Sequence, residues 1–168
     1  AAITTGNCNT AIGYNALCSY TSGGVTAIGV NALKSLTTGT DNVAIGENAG
    51  AALTVNPGNT LVGDTAASNL TGCYNTYSGY VTANCATTGN YNVAIGSGAF
   101  AASTVTTSSA VTAVGQGALK NTSGVGGACT VAIGTNAGCN NTTGTCNVFI
   151  GHLSGSNLTT GLQNVIID

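Results

Sequence analysis

A glycine returns at Gly13, Gly29, Gly46, Gly63, Gly79, Gly96, Gly115, Gly134 and Gly151, and the chain closes at Asp168 in the same register. The steps between them are 16, 17, 17, 16, 17, 19, 19, 17 and 17 residues. A period this short constrains the fold more than any other feature, because helical repeats need about 33 residues or more per unit. It leaves room for two short strands and two turns only. The expected architecture is all-β: a parallel β-solenoid of about ten coils, forming a single repeat domain over residues 1–168. With strands about 4.8 Å apart, ten coils would make a rod roughly 48 Å long.

The residues around each glycine form columns down the chain. The residue before it is aliphatic in nine of ten units: Ile12, Ile28, Ile45, Val62, Ile95, Val114, Ile133, Ile150 and Ile167, with Ser78 the exception. The residue three before it is always Thr or Val, from Thr10 to Val165. Side chains alternate along a strand, so these two columns share one face, and their apolarity assigns them to the core of the coil. The intervening column, Ala11, Ala27, Ala44, Leu61, Tyr77, Ala94, Ala113, Ala132, Phe149 and Ile166, would then point outward. It carries no charge, so its alanines (Ala11, Ala27, Ala44, Ala94, Ala113 and Ala132) are expected to pack against another chain. Asn recurs four before the glycine, as at Asn42, Asn59, Asn75 and Asn92, and stacked Asn side chains form hydrogen-bonded ladders. An unvarying glycine implies φ > 0 or no space for a Cβ. A Thr-Thr-Gly turn signal recurs from Thr4–Gly6 to Thr159–Gly161. The unit around Ser78 and Gly79, with Tyr74, Tyr77 and Tyr80, looks weakest, and insertions near Ser108 and Gly126 read as longer surface loops.

Composition excludes several classes of function. Charged residues are 4% of the chain and the net charge is −2, whereas nucleic acid and anionic membranes demand clustered Lys or Arg. Only Lys34 and Lys120 are present, and no apolar run approaches the ~20 residues of a membrane span. Neither nucleic-acid binding nor membrane insertion is expected. Residues 1–6 read as part of a repeat, not a signal peptide. No capping unit is visible, which predicts a piece of a longer fibre or coils that cap one another end to end.

The few reactive side chains are ordered too. Cys8 and Cys18 lie five residues either side of Gly13, Cys129 and Cys139 five either side of Gly134, and Cys73 and Cys85 six either side of Gly79. Each pair reads as a disulfide across its coil in an oxidising compartment. Cys146 repeats the register of Cys129 one coil later, making Cys129–Cys146 and Cys139–Cys146 rival bridges. A buried small-residue role is the alternative for some of them. No Cys-x-x-Cys or histidine partner supports zinc, and no cofactor is expected. Asp41, Glu47 and Asp64 fall in successive coils and read as solubility charges more than as a cation site. Ser154, His152 and Asp168 hold a nucleophile's residue types, but nothing in the pattern positions them. The chain does not read as an enzyme, and the paired carboxylates of carbohydrate hydrolysis are missing. Sequons occur at Asn69, Asn121, Asn140, Asn141 and Asn157.

The string Val-Ala-Ile-Gly-x-Asn-Ala, at Val43–Ala49 and Val131–Ala137, resembles the head repeats of YadA-like trimeric autotransporter adhesins. Asn9–Leu17 is similar to the Ala-Ile-Gly-x-Asn-Ala-Leu repeats of phage and large-virus tail or surface fibres. The resemblance covers essentially the whole chain and implies a left-handed β-roll, three chains side by side, used for attachment to surfaces. These families share no local site motif, so no binding residue carries over. The expected function is a structural fibre or filament module, extracellular, on a cell surface or on a virion. Its partner is itself, as a homotrimer or an end-to-end filament, with a host surface glycan or receptor as target. The alternative is ice binding by a Thr row eight residues before the glycine: Thr5, Thr21, Thr38, Thr71, Thr88, Thr107, Thr143 and Thr160.

Overall fold

In the computed structural model, which describes residues 6–101, 107–123 and 127–168, every coil contributes one three-residue strand. These are β1 (Thr10–Ile12), β2 (Thr26–Ile28), β3 (Val43–Ile45), β4 (Thr60–Val62), β5 (Thr76–Ser78), β6 (Val93–Ile95), β7 (Thr112–Val114), β8 (Val131–Ile133), β9 (Val148–Ile150) and β10 (Val165–Ile167). They form one ten-stranded sheet in sequence order. All pairs are parallel and column matches column, as in Val43↔Thr60, Ala44↔Leu61 and Ile45↔Val62. The chain is a β-solenoid, and the glycine period is its pitch. Residues 1–5, 102–106 and 124–126 lie outside the described set, and with them Thr4, Thr5 and Gly126.

Beyond the strand, turns stacked on turns complete the coil, where a second short strand was expected. Leu17 N donates to Ala32 O at 3.0 Å, Leu33 N to Ala49 O at 3.0 Å, and Gly50 N to Ala66 O at 3.0 Å. Several residues in these turns adopt left-handed backbone, among them Leu17, Leu33 and Leu119 (φ 53°, 49° and 52°). That conformation costs about 1–2 kcal/mol per L-residue, and the rung-to-rung hydrogen bonds offset it. The glycine column needs both properties inferred for it. At Gly63 φ is +131°, and a Cβ there would sit 2.7 Å from the carbonyl carbon of Gly79 on the next coil.

The strands face the opposite way from the sequence expectation. Ala27, Ala44, Ala94, Ala113 and Ala132 are completely buried, and Ala11 is partly buried against the same core. These alanines meet their own chain's interior, not a neighbouring chain. The isoleucine column and the Thr/Val column face outward. The reason is volume. A coil this small leaves no space inside for two branched columns, so alanine on the strand faces larger side chains, such as Leu33, Leu36 and Leu119, from the turns. Where the alanine column carries a bulky residue, the turn side shrinks. A Cβ on Gly50 would lie 2.6 Å from Leu61 Cδ1, and one on Gly138 would lie 2.5 Å from Phe149 Cδ2. Tyr77 is likewise buried where its coil offers Ala83 and Ala86. The coil that looked weakest is thus filled from the strand side. It carries two conflicts: Val81 is β-branched yet at φ 54°, and the buried Tyr77 hydroxyl has no hydrogen-bond partner among the described residues.

The asparagine ladder forms as expected, and it is inside. Asn42, Asn59, Asn75, Asn92 and Asn147 are fully buried. The backbone N of Asn59, Asn75 and Asn92 donates to the Oδ1 of the asparagine one coil earlier, at 2.9, 3.0 and 2.9 Å. Their Nδ2 groups donate to the carbonyls of Gly72, Gly89 and Ser108, at 3.1, 3.0 and 2.9 Å. Ser108, expected in an exposed loop, is accordingly buried. Where the column lapses at Thr130, its Oγ1 replaces the amide and accepts from Asn147 N at 3.3 Å.

Candidate functional site

The outward face of the sheet is the feature with most capacity to act. It offers twenty side chains, two per strand, and every one is Ile, Val, Thr or Ser. β-Branched residues suit this pleated surface, and among the described residues nothing covers it. Midway along the sheet, Ile45, Ile95, Ile133 and Ile150 are 38%, 44%, 41% and 37% exposed. Nine strand spacings of about 4.8 Å and a width of about 10 Å make a strip on the order of 400 Å². That falls within the range of the largest apolar patch on an ordinary monomer, about 300–600 Å², which is often functional.

Two exposed columns border the strip. Just past the glycine stand Tyr14, Glu47, Asp64, Tyr80 and His152. On the other side, five residues before the glycine, lies a corner column of left-handed residues that includes Cys8, Asp41, Tyr74, Tyr91, Cys129 and Cys146 (φ 57° to 61° except Cys129, 54°). Tyr74 and Tyr91 stack in this column with ring centroids 5.5 Å apart and planes 7° from parallel. The carboxylates Asp41, Glu47 and Asp64 stand on the borders, whereas Lys34 and Lys120 stand in the turns. Asp41 therefore sits across the face from Glu47 and Asp64, and its carboxylate accepts from Thr40 Oγ1 at 2.9 Å. Among the described residues no three His, Cys, Asp or Glu side chains gather as metal ligands.

All seven cysteines are free thiols. The within-coil pairs expected from spacing, Cys8–Cys18, Cys73–Cys85 and Cys129–Cys139, are not formed. Cys18 Sγ instead reaches the Lys34 carbonyl at 3.0 Å, and Cys73 Sγ accepts from Asn56 Nδ2 at 3.5 Å. Both contacts run along the stack to the next or previous coil. Cys85 is partly buried and Cys139 is buried, whereas Cys8, Cys129 and Cys146 are exposed.

The remaining candidates separate on inspection. Ser154 is buried and its hydroxyl donates to the Ile166 carbonyl at 2.7 Å, while His152 is on the exposed border. Among the sequons Asn141 is buried with its Nδ2 on the Gly144 carbonyl at 2.9 Å, whereas Asn69, Asn140 and Asn157 are exposed. The threonine row is not one column. Thr21 and Thr71 stack with Thr37 and Thr87, their Oγ1 atoms donating to those carbonyls at 3.0 Å. Thr38 and Thr88 fall one residue further on. Counting back from the glycine misaligned them because coils of 16 and 17 residues differ in this turn.

Two buried phenols are perturbed. Burial, and then the charge of Asp41, push Tyr20 above the usual tyrosine range; its single hydroxyl proton is shared between the carbonyls of Gly23 and Gly39, at 2.9 and 3.0 Å. Burial pushes Tyr77 up, with the Asn92 side chain opposing in part. Both stay protonated at neutral pH and serve packing. No helix among the described residues is long and apolar enough to cross a membrane.

Comparisons with known proteins leave the face to speak for itself. No family model, curated protein or solved structure matches this chain.

Proposed function

We propose that this chain is a non-enzymatic structural module of a fibre or filament, which packs side by side with copies of itself through the open sheet face. The observation that carries this reading is the uncharged strip of Ile and Val, interspersed with Thr and Ser, along all ten strands. A self-complementary partner suits it, since a face without charge gains nothing from a charged partner. The net charge of −2 leaves little repulsion between copies. A stable interface buries about 800 Å² per partner, roughly twice the strip. The border tyrosines Tyr14, Tyr74, Tyr80 and Tyr91 therefore join the contact or project beside it. Those that project are suited to a host surface glycan or receptor, in keeping with an attachment role outside the cell or on a virion.

Analytical ultracentrifugation and electron microscopy of the native particle test the assembly. Short rods of three chains or longer filaments support it, and monomers at micromolar concentration overturn it. A second reading, ice binding, draws on Thr10, Thr26, Thr60, Thr76 and Thr112, which stand on the same face. Thermal hysteresis from the monomer would favour that reading over assembly.

A further inference from the structure

We infer that Cys129 and Cys146 are a redox-responsive pair whose disulfide staples the eighth coil to the ninth. Of the seven cysteines, only these two occupy one column on consecutive coils. Both are exposed and share the left-handed corner backbone, φ 54° and 57°. The corner column is in register. Cys146 N donates to Ala128 O, the residue before Cys129, at 2.9 Å. Tyr91 N makes the same bond to Cys73 O, the residue before Tyr74, at 3.3 Å. Tyr74 and Tyr91 are therefore the same pair of sites filled with rings, and those side chains lie face to face. Thiols placed there are direct neighbours. Coils about 4.8 Å apart put their Cα atoms inside the ~4.4–6.8 Å window of disulfides. Cys139, the rival partner for Cys146, is buried in a different column.

The oxidant is a small disulfide such as oxidised glutathione. One thiolate attacks a glutathione sulfur, forming a mixed disulfide and releasing the first glutathione thiol. The other thiolate then attacks the protein sulfur of that mixed disulfide and releases the second. The protein pair loses two electrons and two protons, and the two glutathione thiols carry them away.

The test treats the full chain with oxidised glutathione, blocks remaining thiols by alkylation, digests with a broad-specificity protease and maps the links by mass spectrometry. The expected result is a peptide pair lighter by two hydrogens than its two free thiols, with Cys129 joined to Cys146 and Cys139 alkylated. The preference should vanish when oxidation is done in denaturant, where all thiols compete. In Cys146→Ser, Cys129 should stop at the mixed glutathione disulfide. A native map in which Cys146 joins Cys139, joins another chain, or stays singly glutathionylated beside an equally modified Cys129 would overturn the inference.

Discussion

Asn92 and Ile95 lie three residues apart on one coil, yet the amide is fully buried and the isoleucine is 44% exposed. Polarity alone would have exchanged them. The amide is inside because the stack pairs both of its ends: Oδ1 takes the Val111 N–H at 2.9 Å and Nδ2 gives to the Ser108 carbonyl at 2.9 Å. The isoleucine is outside because the interior already holds as much side chain as one turn of this size can contain. In a stack this thin, position is decided by whether a group can be paired or fitted, and hydrophobicity ranks second.

The strongest way to break that contrast is to remove a buried amide. Asn75→Ala leaves the Asn92 N–H and the Gly89 carbonyl without their partner. At about 1–3 kcal/mol for each of the two buried groups left unpaired, denaturant unfolding should show a loss of about 2–6 kcal/mol. A loss under 1 kcal/mol would mean that water enters the column. Overfilling the interior comes next. Ala94→Leu should cost about 1–3 kcal/mol, whereas Ile95→Thr, on the adjacent outward position, should change the stability of the isolated chain by no more than about 0.5 kcal/mol. Equal effects would refute the assignment of inside and outside.

Size matching sharpens the same point. Gly138→Ala should destabilise by crowding Phe149, and adding Phe149→Leu should recover part of that loss, a coupling of about 0.5–3 kcal/mol in a double-mutant cycle. The smallest effect is on pH. Tyr20 and Tyr77 titrate higher in the folded chain than in the unfolded one. Their contribution is complete below the unfolded tyrosine value of about 10 and declines as pH rises above it. Tyr77→Phe should flatten this alkaline decline in a stability-versus-pH series.

The periodicity, the register of the glycine-flanking strand, the need for glycine and the asparagine ladder were all legible, because each depends on a residue type repeating at a fixed place. The phase of the strand was not. Alternation ties Ile45 to Val43 and sets both against Ala44, but it does not say which side is enclosed. Ranking Ile above Ala by hydrophobicity chose wrongly, since the enclosed space is set by coil length. A usable signal was present: Leu61 and Phe149 interrupt the alanine column where Gly50 and Gly138 stand on the turn side, a compensation that only an interior requires. The threonine row misled because positions counted from the glycine shift wherever a coil gains one residue. Spacing about the glycine likewise paired Cys8 with Cys18 along the chain, whereas contacts in a solenoid run from coil to coil.

The outward face is the claim on which function depends, and a charge placed in it tests it most directly. In Ile95→Asp with Ile133→Asp, two positions 44% and 41% exposed gain carboxylates that a solvated face accepts and an interface does not. Sedimentation velocity, read with the thermal midpoint of the same samples, should show the assembly reduced to single chains that unfold within a few degrees of the parent. An assembly that persists with the parent's sedimentation coefficient would contradict the account.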